Sequence, residues 1–378
     1  MTSSPQPAGP ASPHPGSPRP GSPRKVRVLH IDDSAVMRSL LHMVLDPQPS
    51  IEITASASSG QEGLATFERI HPDLVLLDIE MPGMNGLEVL SAIRRHDRRV
   101  PVIMCSTLTS RGARVTIEAL SRGATDYVTK PGAQNGVRQG VETLSRELLP
   151  KIFALFPPES RPAPRPVPDP HPVLTPPSSH PPRIVVIGVS TGGPAALEVL
   201  LPKIPATFPL PILIVQHMPR LFTGLLAERL DSLCPLHVRE AVPDAYAESG
   251  VVDIARGDWH LELTRDFCLR LNQNPPENFC RPSVDVLFRS AAAVCPGRVL
   301  GIILTGMGSD GLAGSRAIRS AGGAILAQDG ATSVVWGMPG SVVNAGLANK
   351  VLPLDALPSE ILRLAAAPRL PRLETAAV

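Results

Sequence analysis

The chain has 378 residues, long enough for two domains that each bury a core, and for a third only if it is small. A formal net charge of +2 gives no electrostatic reason to expect a nucleic-acid partner, and five cysteines without a CxxC pair indicate neither a disulfide framework nor a zinc site. No apolar run reaches the ~18 residues of a membrane span, and the N-terminus lacks the apolar run of a signal peptide, so we expect a cytoplasmic protein without membrane insertion.

Proline is concentrated in two segments. Residues 1–24 contain eight of the 44 prolines, and residues 157–182 contain twelve more. Segments of this composition cannot bury a core. We therefore predict a disordered extension over 1–24, a first domain over 25–149, a linker with extended polyproline conformations over 150–182, a second domain over 183–370 and a tail over 371–378.

In the first domain, strand and helix patterns alternate with short connections. Strands are predicted over 26–32, 51–56, 73–78, 101–106 and 126–130, and helices over 34–45, 61–70, 86–95 and 113–123. Five strands that alternate with helices within about 120 residues predict a doubly wound parallel sheet. Ligands of these sheets bind outside the carboxyl ends of the strands.

Polar side chains end four of these strands: Asp32 and Asp33 the first, Asp78 the third, Ser106 the fourth and Lys130 the fifth. Carboxylates that converge at one sheet edge repel each other unless a cation lies among them, and all-oxygen ligands favour a hard ion such as Mg²⁺. A lysine and a hydroxyl at that edge could hold the oxygens of a phosphoryl group. Taken alone, Asp33 is better explained as a helix cap, whereas the full set favours a site.

Residues 25–145 resemble the receiver domain of two-component response regulators, which has a flavodoxin-like (βα)5 fold. The resemblance rests on the aspartate pair, on LLDIEMPGMNG ending at Gly86, on Ser106 and on TKP at 129–131. It implies that Asp78 accepts the phosphoryl group. The implied Mg²⁺ ligands are Asp32, Asp33, Asp78 and the backbone carbonyl of Glu80.

The same resemblance implies three further roles in the receiver. Lys130 pairs with the phosphoryl group, the Ser106 hydroxyl moves toward it, and Tyr127 is the aromatic residue that follows this movement.

The second domain again predicts α/β structure with a mostly parallel sheet. It lacks the concentrated basic helix of a DNA-binding output domain. Strands are predicted over 184–189, 212–216, 298–305 and 324–329, with shorter strand-like pieces near 236–242, 260–263 and 268–272, and helices after Pro194, over 221–233, over 283–294 and after Gly311.

Three residues at strand ends of this domain offer the chemistry of a serine hydrolase. Ser190 follows a buried strand, His217 follows ILIVQ, and Asp310 follows GIILT in a glycine-rich loop. A serine hydroxyl needs an imidazole to take its proton, and the imidazole needs a carboxylate to fix its tautomer. Taken singly, Ser190 and Asp310 could be helix caps and His217 a half-buried histidine, whereas the set favours catalysis.

Residues 188–192 also match the G-x-S-x-G pattern of α/β-hydrolases. In those enzymes the acid precedes the histidine, whereas here His217 precedes Asp310. The catalytic arrangement is therefore similar, but the hydrolase fold is not predicted.

The second domain resembles the catalytic domain of the CheB family of chemotaxis protein-glutamate methylesterases. The shared segments are GVSTGGP (188–194), QHMP (216–219), RPSVDVLFRSAA (281–292), LTGMGSDG (304–311) and ATSVVWGMP (331–339). With a receiver in front, this implies a phosphorylation-activated hydrolase that removes methyl groups from glutamyl esters of methyl-accepting chemotaxis receptors, releases methanol and deamidates glutamines. The implied phosphodonor is a chemotaxis histidine kinase, and ester hydrolysis needs no cofactor.

By this resemblance Ser190 is the nucleophile, His217 the base and Asp310 the residue that orients it, while Thr191 and Met307 have supporting or oxyanion roles. An unphosphorylated receiver would cover the site. The sequence departs from the family pattern at Arg256, Gly330 and Trp336, which leaves local loop shape and substrate preference open, more than the reaction type. Two alternatives stay open: an esterase or deamidase of the same fold that acts on a non-chemotaxis receptor, and a non-enzymatic response regulator.

Overall fold

The computed structural model describes residues 24–132, 136–157 and 180–366. The predicted extension lies outside the described residues except for Arg24, as do residues 158–179 of the predicted linker and the predicted tail. Within these ranges the chain forms two α/β halves, each built on a parallel sheet.

The N-terminal half is a five-stranded parallel sheet in the order β2-β1-β3-β4-β5. Its strands are β1 (Val26–Ile31), β2 (Ile51–Ala57), β3 (Leu74–Asp78), β4 (Val102–Ser106) and β5 (Asp126–Thr129), and its helices are α1 (Ala35–Leu45), α2 (Gly60–Ile70), α3 (Gly86–His96), α4 (Ser110–Ser121) and α5 (Val137–Leu155). The predicted flavodoxin-like (βα)5 topology is confirmed.

Polar N-caps explain where the first four helices of this half begin. The side chains of Ser34, Ser59, Asn85 and Thr109 each accept a hydrogen bond from a backbone N–H in the first turn that has no partner within the helix. At α3, the Glu88 side chain also accepts a hydrogen bond from the backbone N–H of Asn85, which completes a capping box.

Helix α5 extends to Leu155 and so crosses residue 149, where the first domain was predicted to end. The extra residues stay helical because the apolar stripe of Leu144, Leu148 and Ile152 remains buried against the sheet. The helix also contains Pro150, which the sequence analysis counted with the linker.

The C-terminal half is a seven-stranded parallel sheet in the order β14-β13-β12-β6-β7-β9-β8, with a separate antiparallel hairpin of β10 and β11. The strands are β6 (Ile184–Val189), β7 (Ile212–Gln216), β8 (His237–Glu240), β9 (Val251–Ile254), β10 (His260–Leu263), β11 (Leu269–Asn272), β12 (Val299–Ile303), β13 (Ala324–Gln328) and β14 (Lys350–Leu352). The helices are α6 (Gly193–Leu200), α7 (Arg220–Asp231), α8 (Val284–Val294), α9 (Leu312–Ser320), α10 (Gly337–Asn344) and α11 (Leu357–Ala365). The prediction of a mostly parallel α/β fold is confirmed.

Strands β6, β7 and β12 are fully buried and adjacent in this sheet, which brings their carboxyl ends to one edge. This adjacency places the loops after residues 189, 216 and 303 side by side. The sequence analysis did not identify β9, β14, α10 and α11, which are only three to nine residues long.

The two halves pack together through α4 and β5 on one side and α6 and α7 on the other. At the centre the buried rings of Tyr127 and Phe222 stack with centroids 4.6 Å apart. At the rim Ser121 donates a hydrogen bond to Glu198, and the exposed pair of Arg114 and Glu228 lies 3.4 Å apart. No helix in the described part of the chain is long and apolar enough to cross a membrane.

Candidate active site and phosphorylation site

Ser190 lies in the sharp connection between β6 and α6. Gly192 adopts φ of 76°, a left-handed conformation that glycine adopts without strain, and it precedes the first turn of the helix. Gly306 passes so close that a Cβ there would lie 2.9 Å from Ser190 Cβ. Glycine at position 306 therefore makes room for the serine side chain.

Gln216 holds the loops of Ser190 and His217 together. Its side chain is buried, and Nε2 donates to the carbonyl of Ser190 at 3.1 Å and to that of His217 at 3.3 Å. A Cβ at Gly193 would overlap the Gln216 side chain, so glycine there makes room for the amide. The sequence analysis quoted Gln216 within a motif but gave it no role.

Asp310 and His217, predicted to act together, are in direct contact. His217 Nε2 and Asp310 Oδ2 are 2.8 Å apart, and both side chains are largely buried. The carboxylate also accepts bonds from the backbone N–H groups of Val284 and Asp285, at the start of α8, and from the hydroxyl of Ser283. These donors stabilise the negative charge at the positive end of the helix.

The hydrogen bond between His217 and Asp310 shifts the pKa of both groups. Burial alone would lower the pKa of His217, but the bond to Asp310 and the neighbouring Cys280 side chain together outweigh burial and raise this pKa above its usual range. Burial alone would likewise raise the pKa of Asp310, but the bond from His217 and the backbone donors hold it below its usual range. The contact therefore stabilises the charged form of each group, imidazolium and carboxylate, relative to the isolated side chains.

The loop of residues 278–280 lies beside Nδ1 of His217. The sequence analysis did not predict that this loop contributes to the site. His217 Nδ1 lies 3.6 Å from Cys280 Sγ, and among the described residues it makes no hydrogen bond with Ser190. In the same loop, Asn278 donates to Asp310 Oδ1 at 2.9 Å and Phe279 is fully exposed. No sequence motif marks this loop. Its contacts with the site could not be predicted from the sequence, because they join residues that lie far apart along the chain.

These residues line a cavity of about 790 Å³ whose wall comes from both halves of the chain. Met307 lies in the lining as predicted. Thr191 also lies there, but its hydroxyl donates to Asp126 Oδ2 of β5 at 2.7 Å. In this arrangement the hydroxyl of Thr191 is therefore hydrogen-bonded to the N-terminal half.

The predicted acidic site forms at the carboxyl edge of the N-terminal sheet. Carboxylate oxygens of Asp32, Asp33 and Asp78 lie within 4.8 Å of one another, and Asp33 is the exposed member. Lys130 Nζ lies 2.9 Å from Asp32 and 2.7 Å from Asp78. Burial raises the pKa of the Asp78 carboxyl to about 6, against the opposing effect of Lys130.

The other predicted receiver residues do not all face this site. Ser106 is buried, and its hydroxyl accepts a hydrogen bond from Thr116 of α4 at 2.7 Å. The N–H of Glu80 donates to Asp78 Oδ1 at 3.3 Å, which places the backbone of Glu80 beside the acidic cluster. Tyr127 faces away from the cluster, into the contact between the halves.

Two of the three departures from the family pattern contact each other. Trp336 Nε1 donates to the carbonyl of Gln328, and a Cβ at Gly330 would contact the indole ring at 3.5 Å. Arg256 lies 3.7 Å from Glu240, and neither residue lines the cavity that contains Ser190. The effect of these residues on substrate preference stays a prediction.

Comparisons with known proteins bear on both halves. The family model of the response regulator receiver domain matches residues 28–142, and that of CheB methylesterase matches residues 185–361. A protein-glutamate methylesterase/protein-glutamine glutaminase from Trichodesmium erythraeum is 46% identical over 354 residues, which cover 90% of this chain and 99% of that protein. The chain belongs to the CheB methylesterase family.

A second relative agrees with membership of the CheB methylesterase family. A protein of the same name from Nocardioides sp. is 49% identical and covers 89% of this chain and 95% of that protein. The crystal structure of the Thermotoga maritima CheB methylesterase catalytic domain is 42% identical, with a TM-score of 0.47, and covers 48% of this chain and 98% of that one. The near-complete coverage of the two methylesterase/glutaminases shows that both halves of this chain belong to the family architecture.

Proposed function

We propose that this protein is a phosphorylation-activated hydrolase that demethylates glutamate methyl esters and deamidates glutamines on methyl-accepting chemotaxis receptors. The observation that carries this proposal is the buried 2.8 Å contact between His217 and Asp310 beside Ser190, in a chain whose relatives are named protein-glutamate methylesterase/protein-glutamine glutaminase. A cytoplasmic location and a chemotaxis histidine kinase as phosphodonor belong to the same proposal.

In the proposed reaction, Ser190 attacks the γ-carbonyl of the receptor side chain while His217 takes the hydroxyl proton. His217 makes its Asp310 contact through Nε2, so Nδ1 is the nitrogen available for that proton. The carboxylate stabilises the imidazolium that forms and holds the ring in one orientation. This is the role that its bonds from the start of α8 support.

The tetrahedral intermediate then collapses. Backbone N–H groups at the start of α6 stabilise the oxyanion, and the C–O bond of the ester, or the C–N bond of the amide, breaks. His217 returns its proton to the leaving methanol or ammonia. Water then attacks the acyl-enzyme with His217 again as base, which releases the receptor carboxylate and restores Ser190.

The receiver inhibits by its position in this arrangement. Asp126, Tyr127 and Lys151 form part of the wall of the catalytic cavity, where they stand in the way of a receptor helix about 10–12 Å wide. Phosphorylation of Asp78 shifts the population toward an arrangement in which the halves have separated.

A short chain of contacts connects the phosphorylation site to this wall. The Ser106 hydroxyl is bonded to Thr116 of α4, and α4 packs against α7 of the catalytic half. If Ser106 turns toward a phosphoryl group on Asp78, it loses the bond to Thr116. The helix at the contact between the halves is thereby released from its present position.

The acidic cluster fits a bound Mg²⁺. Its three carboxylates supply oxygen ligands within 4.8 Å of one another. A neighbouring cation would stabilise the charged form of the Asp78 carboxylate, which burial disfavours. We assign Asp32, Asp33, Asp78 and the carbonyl of Glu80 as its protein ligands. The ion supplies charge neutralisation for phosphoryl transfer.

Methanol release from methylated receptor membranes, with and without a small phosphodonor and Mg²⁺, tests the proposal. The wild-type rate should rise on phosphorylation, Ser190→Ala should release no methanol, and Asp78→Asn should keep its basal rate without stimulation. A Ser190→Ala protein that works at the wild-type rate would remove the catalytic assignment. Stimulation retained in Asp78→Asn would remove the regulatory one.

A further inference from the structure

Cys280 is a side chain of the catalytic cavity that the proposed reaction does not use. It lies on the loop before α8, in a position between buried and exposed, and its Sγ is 3.6 Å from His217 Nδ1. Together with Asp310, these two residues form one of the two groups in the described chain whose atoms could hold a metal ion. The other group is the acidic cluster of the receiver.

The geometry of the pair is that of two ligands on one tetrahedral ion. Bonds of about 2.0–2.1 Å to an imidazole nitrogen and about 2.3 Å to a thiolate sulfur, at a tetrahedral angle, place the two ligand atoms about 3.6 Å apart. This is the separation of His217 Nδ1 and Cys280 Sγ. The two ligand atoms therefore already have the separation that such an ion requires.

A metal-binding histidine usually makes a hydrogen bond to a carboxylate through its other ring nitrogen, and Asp310 provides this bond for His217. It holds His217 Nε2 at 2.8 Å, which fixes the ring and leaves the Nδ1 lone pair directed at the cavity. The carboxylate is itself held by the hydroxyl of Ser283 and by the N–H of Val284. A nitrogen and a sulfur ligand select a soft or borderline cation such as Zn²⁺ over Mg²⁺.

We propose that His217 Nδ1 and Cys280 Sγ form an inhibitory site for Zn²⁺ in the catalytic cavity. On binding, the Cys280 thiol and any protonated His217 Nδ1 each give a proton to solvent, the thiolate and the neutral imidazole each form a bond to Zn²⁺, and water completes the coordination. The bound ion occupies the lone pair that would take the Ser190 proton, so hydrolysis stops. The inhibition rests on the proposed function, whereas the binding site does not.

Zinc binding is therefore measured first, without substrate. The full-length protein is titrated with Zn²⁺ against a chromophoric chelator, in an excess of Mg²⁺ that fills the acidic cluster. We expect one zinc site in the wild type that is lost in Cys280→Ser. Cys234→Ser is the matched control, since Cys234 is also partly buried but belongs to no metal-binding group in the described residues. That variant should keep the site, as should Ser190→Ala.

Thiol alkylation gives a readout that needs no variant. Zinc should slow modification of Cys280 by iodoacetamide at least ~10-fold and leave that of Cys234 unchanged, as measured by peptide mass. Equal alkylation of Cys280 with and without zinc, or full zinc binding by a folded Cys280→Ser protein, overturns the site.

Methanol release then tests inhibition, with each variant normalised to its own zinc-free rate. Zinc should inhibit the wild type and Cys234→Ser, and a chelator should restore the rate, while Cys280→Ser should resist at least ~10-fold more zinc. Equal inhibition of Cys280→Ser overturns the inhibitory role. Because binding is scored without substrate, a wild type that binds zinc through Cys280 but releases no methanol at all contradicts the proposed function and not the zinc site.

Discussion

The hydroxyl of Thr191 donates a 2.7 Å hydrogen bond to Asp126, which joins the residue after the candidate nucleophile to the last strand of the receiver. The other oxygen of Asp126 lies 2.7 Å from Lys151 of α5. The side chains of Thr191 and Asp126 are buried, and that of Lys151 is half-buried. One carboxylate thus connects the final receiver helix to the catalytic cavity.

We predict that Asp126→Ala raises the basal rate of methanol release by the unphosphorylated protein. A hydrogen bond to a charged group contributes about 1.5–3 kcal/mol, so its loss should shift the population toward the open arrangement about 10-fold or more. The rate with phosphodonor should change much less.

The exposed pair of Arg114 and Glu228 supplies the control for this experiment. A pair of this kind contributes ~0–1 kcal/mol, so Arg114→Ala should raise the basal rate much less than Asp126→Ala. Equal basal rates in the wild type and Asp126→Ala would show that this contact does not hold the receiver in place.

Asp310→Asn should lower kcat and move the pH profile. The carboxylate raises the pKa of His217, and only the neutral ring accepts the serine proton, so wild-type activity increases as pH rises through that pKa. Without the carboxylate the pKa of His217 falls, and the acidic limb of the profile should shift to lower pH. The loss of orientation should reduce kcat by at least ~10²-fold. A reduced kcat with an unmoved limb would mean that Asp310 does not set the charge of His217.

Gln216→Met should reduce kcat and leave KM nearly unchanged. Methionine has a similar length but cannot donate to the carbonyls of Ser190 and His217, so the two loops lose their common anchor. With about 1 kcal/mol for each lost bond, we expect a decrease of ~10-fold or more. The melting temperature identifies any general loss of folding. A variant with wild-type kcat would show that the backbone alone positions the two loops.

Phe279→Ala should weaken productive binding of the receptor without harming the chemistry. Its ring is fully exposed at the mouth of the cavity, next to Cys280, where an apolar side chain can pack on a receptor helix. KM for receptor membranes should rise several-fold, while kcat for a small ester should not change. Tyr246→Ala, at an exposed aromatic residue that does not line the cavity, is the control. Equal effects of the two variants would contradict a specific contact at Phe279.

The sequence alone was sufficient to predict the elements whose causes are local. Buried strands appear as continuous apolar runs, and Ser34 begins α1 as predicted because a cap bonds within its own first turn. The candidate residues of both sites could be identified because each follows a strand. Parallel strands that lie side by side bring such residues to one edge, as the 2.8 Å contact between His217 and Asp310 shows.

Only the tertiary structure decided which side chains oppose those residues. Cys280 reaches His217 across 63 positions of the chain, and Asp126 reaches Thr191 across 65. No periodicity or motif links such pairs, because their distance depends on how loops and halves pack, which is a sum of many nonlocal contacts. The candidate catalytic residues could thus be proposed from strand ends, whereas the thiol beside His217 and the carboxylate bonded to Thr191 are found only in the folded chain.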